Sequence, residues 1–145
     1  NNNKMATTTC TFTLNSSDLL STAPLNVSTS NVLNKAGLQV GLDQVKMGRN
    51  EIATGTSFDL LDATTAGVNK ANWVYIANLE TDSTLYVTIV IDAETIGRLY
   101  AGDWMFIPWN VDDATHDLEV TASSGTQTVE WMVIHEGETL PTSAD

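Results

Sequence analysis

Trp73-Val74-Tyr75-Ile76-Ala77, Leu85-Tyr86-Val87-Thr88-Ile89-Val90-Ile91 and Trp104-Met105-Phe106-Ile107-Pro108-Trp109 are the three runs that decide the fold class. All three are β-branched and aromatic, too short for helices of ordinary length, and divided by turn-forming polar residues. The first is apolar on both faces, which suits a strand buried on two sides. In the second, Leu85, Val87, Ile89 and Ile91 point one way. The third ends at Pro108, which has no N–H to give to a ladder. Glu80–Thr84, Asp92-Ala93-Glu94 and Ala101-Gly102-Asp103 read as turns, with Gly102 supplying a positive φ.

The same reading extends outward. Thr95–Leu99 is a short strand. Leu118-Glu119-Val120-Thr121-Ala122 follows an acidic loop, and Ser123-Ser124-Gly125 turns the chain into Thr128–His135, where Val129, Trp131, Val133 and His135 share a face. Toward the N-terminus, Thr7–Leu14 alternates strictly, with Cys10, Phe12 and Leu14 opposite Thr9, Thr11 and Thr13. That pattern predicts a half-buried strand with Cys10 as a small core hydrophobe. Leu25/Val27, Val32/Leu33, Leu38/Val40 and Val45/Met47 are short apolar pieces expected in brief strands and loops. Ser17-Asp18-Leu19-Leu20 suits one capped helical turn, and Phe58–Ala63 fits strand or turn equally. Strands every 8–14 residues predict an all-β antiparallel sandwich or jelly roll. The expected layout is a flexible segment 1–6, one domain over 7–136 and a polar tail 137–145. Met5-Ala6-Thr7 reads as a translation start preceded by an extension.

Composition excludes several function classes. In 145 residues, 6 Lys and Arg stand against 18 Asp and Glu, a net charge of −12. Such a chain has no basic footprint for nucleic acid or an anionic membrane surface. The single Cys10 cannot form an intrachain disulfide, no run is long enough to span a bilayer as a helix, and no apolar signal-peptide segment precedes the first strand. A soluble protein of a reducing compartment is expected.

Chemistry-bearing residues are few. Phosphate-cradling glycine motifs, nucleophile elbows and zinc-spaced Cys or His pairs are missing. Asp112, Asp113, His116 and Asp117 form one cluster with oxygen ligands for a hard cation, but without EF-hand spacing; it reads as an acidic surface loop. His135 reads as a partly buried hydrogen-bonding residue. No catalytic, cofactor or metal site is therefore expected. Four Trp are the better clue, because large aromatics anchor sugars and partners. Core packing explains Trp104 and Trp131, whereas Trp109, with Tyr100, is a candidate exposed platform for a sugar.

The second half resembles small structural proteins of tailed bacteriophages, especially those of marine and cyanobacterial viruses. The resemblance lies in Trp73–Leu79, Leu85–Ile89, Ile96–Trp104, Phe106-Ile107-Pro108-Trp109, Asp117–Val120 and Val129–Ile134. It implies a non-enzymatic virion component made in the host cytoplasm, best matched to a capsid decoration (cement) protein. Such a protein would self-associate, most simply as a homotrimer, and bind the major capsid protein. Its N-terminal arm would pair with a neighbour's sheet edge. The expected interface residues are Thr9, Thr11 and Thr13 on the first strand, Lys46 and Arg49 in a loop from Lys46 to Glu51, and Trp109. A tail, neck or fibre component and a carbohydrate-binding module are the rival expectations.

Overall fold

The computed structural model describes residues 7–38, 40–65, 70–111 and 115–136. The expected segments 1–6 and 137–145, together with Asp112 and Asp113, lie outside them. Among the described residues there are ten strands: β1 (Thr9–Ser16), β2 (Leu25–Val32), β3 (Gln44–Ala53), β4 (Phe58–Leu61), β5 (Asn72–Asn78), β6 (Tyr86–Ile91), β7 (Glu94–Tyr100), β8 (Trp104–Pro108), β9 (Leu118–Ala122) and β10 (Thr126–His135), with one 3₁₀ turn at Ala63–Thr65.

Strands β3 to β10 form two four-stranded antiparallel sheets, ordered β3-β10-β5-β8 and β4-β9-β6-β7. The pairs β3·β10, β4·β9, β5·β8 and β6·β7 are nested, as in one long hairpin rolled into a barrel. That is jelly-roll topology, with the β-sandwich expected from the sequence. The tip of the hairpin is the two-residue turn at Asp92 and Ala93, with φ of 51° and 63°. Both central residues in the left-handed region make it a type I′ turn, whose twist matches the strands it joins.

The core lies between the sheets, where inward positions alternate along each strand. Ile52, Val74, Ile76, Val87, Ile89, Leu118, Val120 and Val129 are fully buried there. One end of the sandwich is closed by a polar pin. The Gln127 side chain donates from Nε2 to the Tyr86 and Ser124 carbonyls and to Ser123 Oγ, and its Oε1 accepts from Asn78 Nδ2. Asn78 also donates to the Leu99 carbonyl, and its Oδ1 accepts from the Glu80 N–H. These partners satisfy amides that would otherwise be costly to bury. Buried Glu136 ties down the chain beyond β10, accepting at Oε1 from the Ala36 N–H at 2.9 Å and the Ala71 N–H at 2.6 Å.

Several expectations need correction. The first strand is not half-buried in the sandwich. β1 pairs along its whole length with β2 in a separate two-stranded ribbon, so Phe12 and Leu14 remain 45% and 47% exposed and Cys10 is outside the core. Alternation gives faces but cannot say which face finds a partner. The helical turn after β1 does not form; the Ser16 hydroxyl accepts from the Asp18 and Leu19 N–H groups instead, bending the chain. Lys46–Glu51 is the middle of β3 and not a loop. β5 is fully buried on its inner side, but Trp73 and Tyr75 on its outer side are only half-buried. Phe58–Ala63 resolves into β4 followed by the 3₁₀ turn, with a bulge that brings both Leu60 and Leu61 inside. Ile96 sits at a register shift between β6 and β7 and is half exposed.

Candidate functional site

The unusual surface is the outer face of the β3-β10-β5-β8 sheet. Pairing registers align three rows across it: Val45–Ile134–Trp73–Pro108, Met47–Met132–Tyr75–Phe106 and Arg49–Glu130–Ala77–Trp104. The first two rows are entirely apolar or aromatic. Val45, Met47 and Trp104 are 54%, 64% and 58% exposed. Trp73 stacks on Phe106 with centroids 5.2 Å apart and planes 15° from parallel, and Tyr75 leans on Trp104 at 6.4 Å. In the third row the only charges neutralise each other, as Arg49 Nε and Nη2 both reach Glu130 Oε2 at 3.0 Å. A large exposed apolar face rimmed by polar residues marks a protein interaction surface more often than a solvated one.

The β1–β2 ribbon adds a second apolar face. Its register puts Cys10, Phe12, Leu14, Leu25 and Val27 on one side, together with Ser16, Thr29 and Asn31, and Thr9, Thr11, Thr13, Ser28, Ser30 and Val32 on the other. The ribbon borders the apolar sheet in the same chain: Thr8 lines a hollow with Val45 and Ile134, and Cys10, Thr11 and Phe12 line a groove of about 550 Å³ with Trp104, Met105 and Phe106. Leu19 and Leu20 in the β1–β2 connection are 70% and 48% exposed.

The expected interface residues are therefore divided. Thr9, Thr11 and Thr13 are exposed along the hydroxyl side of the ribbon, already paired in backbone to β2. Arg49 belongs to the outer face, held by Glu130. Lys46 points the other way on β3 and lines a cleft between the sheets. Trp109 is not an exposed platform: it is 4% exposed, and its Nε1 donates to the His116 carbonyl at 2.8 Å. Tyr100 packs against Tyr86 at 5.1 Å, so no coplanar Trp109–Tyr100 surface exists for a sugar. Sequence reading missed Trp73, Tyr75, Trp104, Phe106 and Met132. The signal was available in β8, where Trp104-Phe106-Pro108 and Met105-Ile107 are apolar on both sides of an edge strand, more than one core can absorb.

Titratable groups meet in the cleft at the open end of the sandwich. It encloses about 260 Å³ and is lined by Lys46, Asp59, Asp62, Trp109, Trp131 and His135, among others. Trp131 is locked in place: its Nε1 donates to Asn50 Oδ1 at 2.8 Å, and its ring lies over Gly48, where a Cβ would come within 2.9 Å. His135 Nδ1 is 2.9 Å from the Glu136 carbonyl oxygen, which fixes that nitrogen as the donor and matches the expected structural histidine. Asp59 stands opposite Glu119 on β9. Desolvation and then the Glu119 charge raise its pKa above the ordinary carboxylate value. His116 Nε2 is 3.6 Å from Asp92 Oδ2, and Asp117 Oδ1 accepts from the Ala63 N–H at 2.7 Å. Among the described residues no group of three or more metal-ligating side chains converges. Among the described residues that line the cleft, none is a serine, threonine or cysteine that could pair with His135 as a nucleophile.

No family model matches the chain, and no curated protein does. Among solved structures, the crystal structure of a cupin protein from Bacteroides fragilis is similar at 19% identity, over 71% of this chain and 75% of that chain, with a TM-score of 0.37.

Proposed function

We propose that the chain is a non-enzymatic virion structural protein, a capsid decoration protein that binds the outside of a phage head and ties neighbouring major capsid subunits together. The observation that carries the reading is the outer face of the β3-β10-β5-β8 sheet, with rows Val45–Ile134–Trp73–Pro108 and Met47–Met132–Tyr75–Phe106 exposed at Val45 and Met47 and half-buried at Trp73, Tyr75, Phe106, Met132 and Ile134. Interface cores favour aromatics and Met and exclude charge, and this face has that composition. A jelly roll is used by capsid proteins and lectins alike and does not by itself choose between them. The sequence resemblance to phage structural proteins is what supports the capsid reading over the lectin one.

Mechanistically, the rigid sandwich presents a preformed apolar plate, so binding orders few side chains. Copies associate around a symmetry axis, most simply as trimers, and each copy adds weak contacts to the shell. The acidic remainder of the surface faces away from packaged DNA.

The test is co-sedimentation of the purified chain with shells of the phage that encodes it, alongside its solution mass by light scattering. A mass near three times 15.6 kDa and saturable binding in a ratio set by shell symmetry are expected. A strict monomer that leaves the shells bare would overturn the proposal, and rings of six or twelve copies would move the assignment to the tail or neck.

A further inference from the structure

We infer that the cleft at the open end of the sandwich is a binding site for a single neutral, hydroxyl-bearing ring, the chemistry of a monosaccharide unit. The inference is independent of the decoration reading, which stands on the outer face of the β3-β10-β5-β8 sheet.

The two ends of the sandwich use their inward polar side chains differently. At the closed end, Gln127 and Asn78 spend their amide groups on each other and on backbone carbonyls. At the open end, Lys46 and His135 stand at inward positions of β3 and β10, paired in register with Val133 and Asn72. Lys46 has no ion-pair partner among the described residues. His135 donates from Nδ1 to the Glu136 carbonyl, which leaves Nε2 as an acceptor. That nitrogen is buried and has no hydrogen-bond partner among the described residues. An inward polar group without a partner costs stability, and one that lines a cleft gains a partner when a ligand enters.

The lining selects the chemistry of that ligand. The space is about 260 Å³, below the roughly 300–1,000 Å³ of pockets that enclose drug-sized molecules, so it takes one ring and not a chain. Trp109 and Trp131 both line it, and their indole N–H groups are already given to the His116 carbonyl and to Asn50 Oδ1. What they add is therefore apolar ring surface, on which the C–H faces of a sugar pack. The Trp131 ring is held over Gly48 in advance, so binding does not have to order it. The polar groups offer both senses of hydrogen bond: the Lys46 ammonium donates, while His135 Nε2 and the Asp59 carboxylate accept. A hydroxyl answers either sense, and neighbouring hydroxyls on one ring answer both at once. Charges of both signs disfavour the alternatives. An anion meets Asp59 and Asp62 in a chain of net charge −12, and a cation meets Lys46.

Titration of the full chain with the methyl glycosides of glucose, galactose, mannose and N-acetylglucosamine, followed by indole and amide shifts in two-dimensional NMR, tests the site. Saturable shifts at the Trp131 indole and around His135 are expected for at least one sugar, with a dissociation constant on the order of 1 mM, as suits one small ring. Lys46→Ala, at an exposed position of an edge strand, and His135→Phe, which keeps a ring but no acceptor, should each weaken that binding about tenfold with the thermal transition retained. Trp104→Ala on the outer face should leave it unchanged. Benzoate and benzylamine serve as ring-sized probes of either charge. The absence of a saturable shift with every sugar overturns the inference, as does binding that survives both cleft variants, or a charged probe that binds more tightly than all the sugars. Failure of the site leaves the decoration reading in place, because shell binding is read separately by co-sedimentation.

Discussion

The two outer faces of the sandwich belong to sheets of the same size and order, yet they have opposite chemistry. On the β4-β9-β6-β7 sheet the aligned rows are Asp59–Glu119–Val90–Thr95, Thr121–Thr88–Arg98 and, at one end, the aromatic pair Tyr86–Tyr100, with Arg98 lying 4.4 Å over the Tyr86 ring. On the β3-β10-β5-β8 sheet the corresponding rows are Val, Ile, Trp, Met, Tyr and Phe. The inner faces differ too: the β4-β9-β6-β7 sheet turns Val87, Ile89, Leu118 and Val120 inward, whereas the β3-β10-β5-β8 sheet mixes Ile52, Val74, Ile76 and Val129 with Lys46, Asn78, Gln127 and His135. The asymmetry of the outer faces is the observation on which the proposed interaction face rests.

The comparison can be broken most severely from within. Ile76 is fully buried on the inner side of β5, and its neighbour Tyr75 lies on the outer side of the same strand. Ile76→Ala should cost about 2–5 kcal/mol of stability by leaving a cavity, read as a lowered denaturant midpoint, whereas Tyr75→Asp should leave that midpoint nearly unchanged and weaken association. If both changes destabilise equally, the outer side of β5 is simply more core.

A smaller effect is expected at the hairpin tip, away from both faces. Ala93 holds a φ of 63°, a conformation that costs a residue with a Cβ about 1 kcal/mol. Ala93→Gly should raise the melting temperature modestly without altering assembly.

The smallest effect sharpens the polar face. Asp59 has a raised pKa because of desolvation and then Glu119. A carboxyl whose folded pKa lies above its unfolded value penalises the folded state at neutral pH. The penalty is relieved as pH falls through the folded pKa. Asp82 is the opposite case, because Thr84 N–H and Oγ1–H bonds lower its pKa; its contribution is present above the ordinary carboxylate range and lost as pH falls through the lowered pKa. Asp59→Asn should therefore raise stability slightly at pH 7, and Asp82→Asn should lower it, both measured by denaturation across pH 3–7. Reversed signs would mean that these carboxyls are governed by other neighbours.

Much of the sandwich was legible in sequence because period-two alternation in Leu85–Ile91, Leu118–Ala122 and Thr128–His135 states which side faces the core. Pro108 and Gly102 did what their backbone chemistry requires, ending β8 and supplying a φ of 86°. What alternation cannot state is the partner of a face. Cys10, Phe12 and Leu14 alternate as cleanly as core residues, yet the strand that carries them pairs with β2 outside the sandwich. Lys46–Glu51 looked like a loop because Gly48, Arg49 and Asn50 have low strand propensity; the Trp131 ring needs the space above Gly48, and tertiary packing overrides the local preference. Trp109 looked exposed because it follows a strand-ending proline, but its ring is buried and its indole N–H donates to the His116 backbone carbonyl. The apolar outer face itself was readable only as an excess of apolar residues on both sides of β5 and β8. The registers that gather them into rows come from long-range pairing.

The most direct test of the central claim places one charge on each outer face and compares solution mass by light scattering. Met132→Asp sits in the middle of the apolar rows, and Thr88→Asp sits at the matching central position of the polar sheet. The account predicts that Thr88→Asp keeps the wild-type multimer, while Met132→Asp gives a folded monomer of 15.6 kDa. An unchanged multimer in Met132→Asp, or a monomer in both, would contradict it.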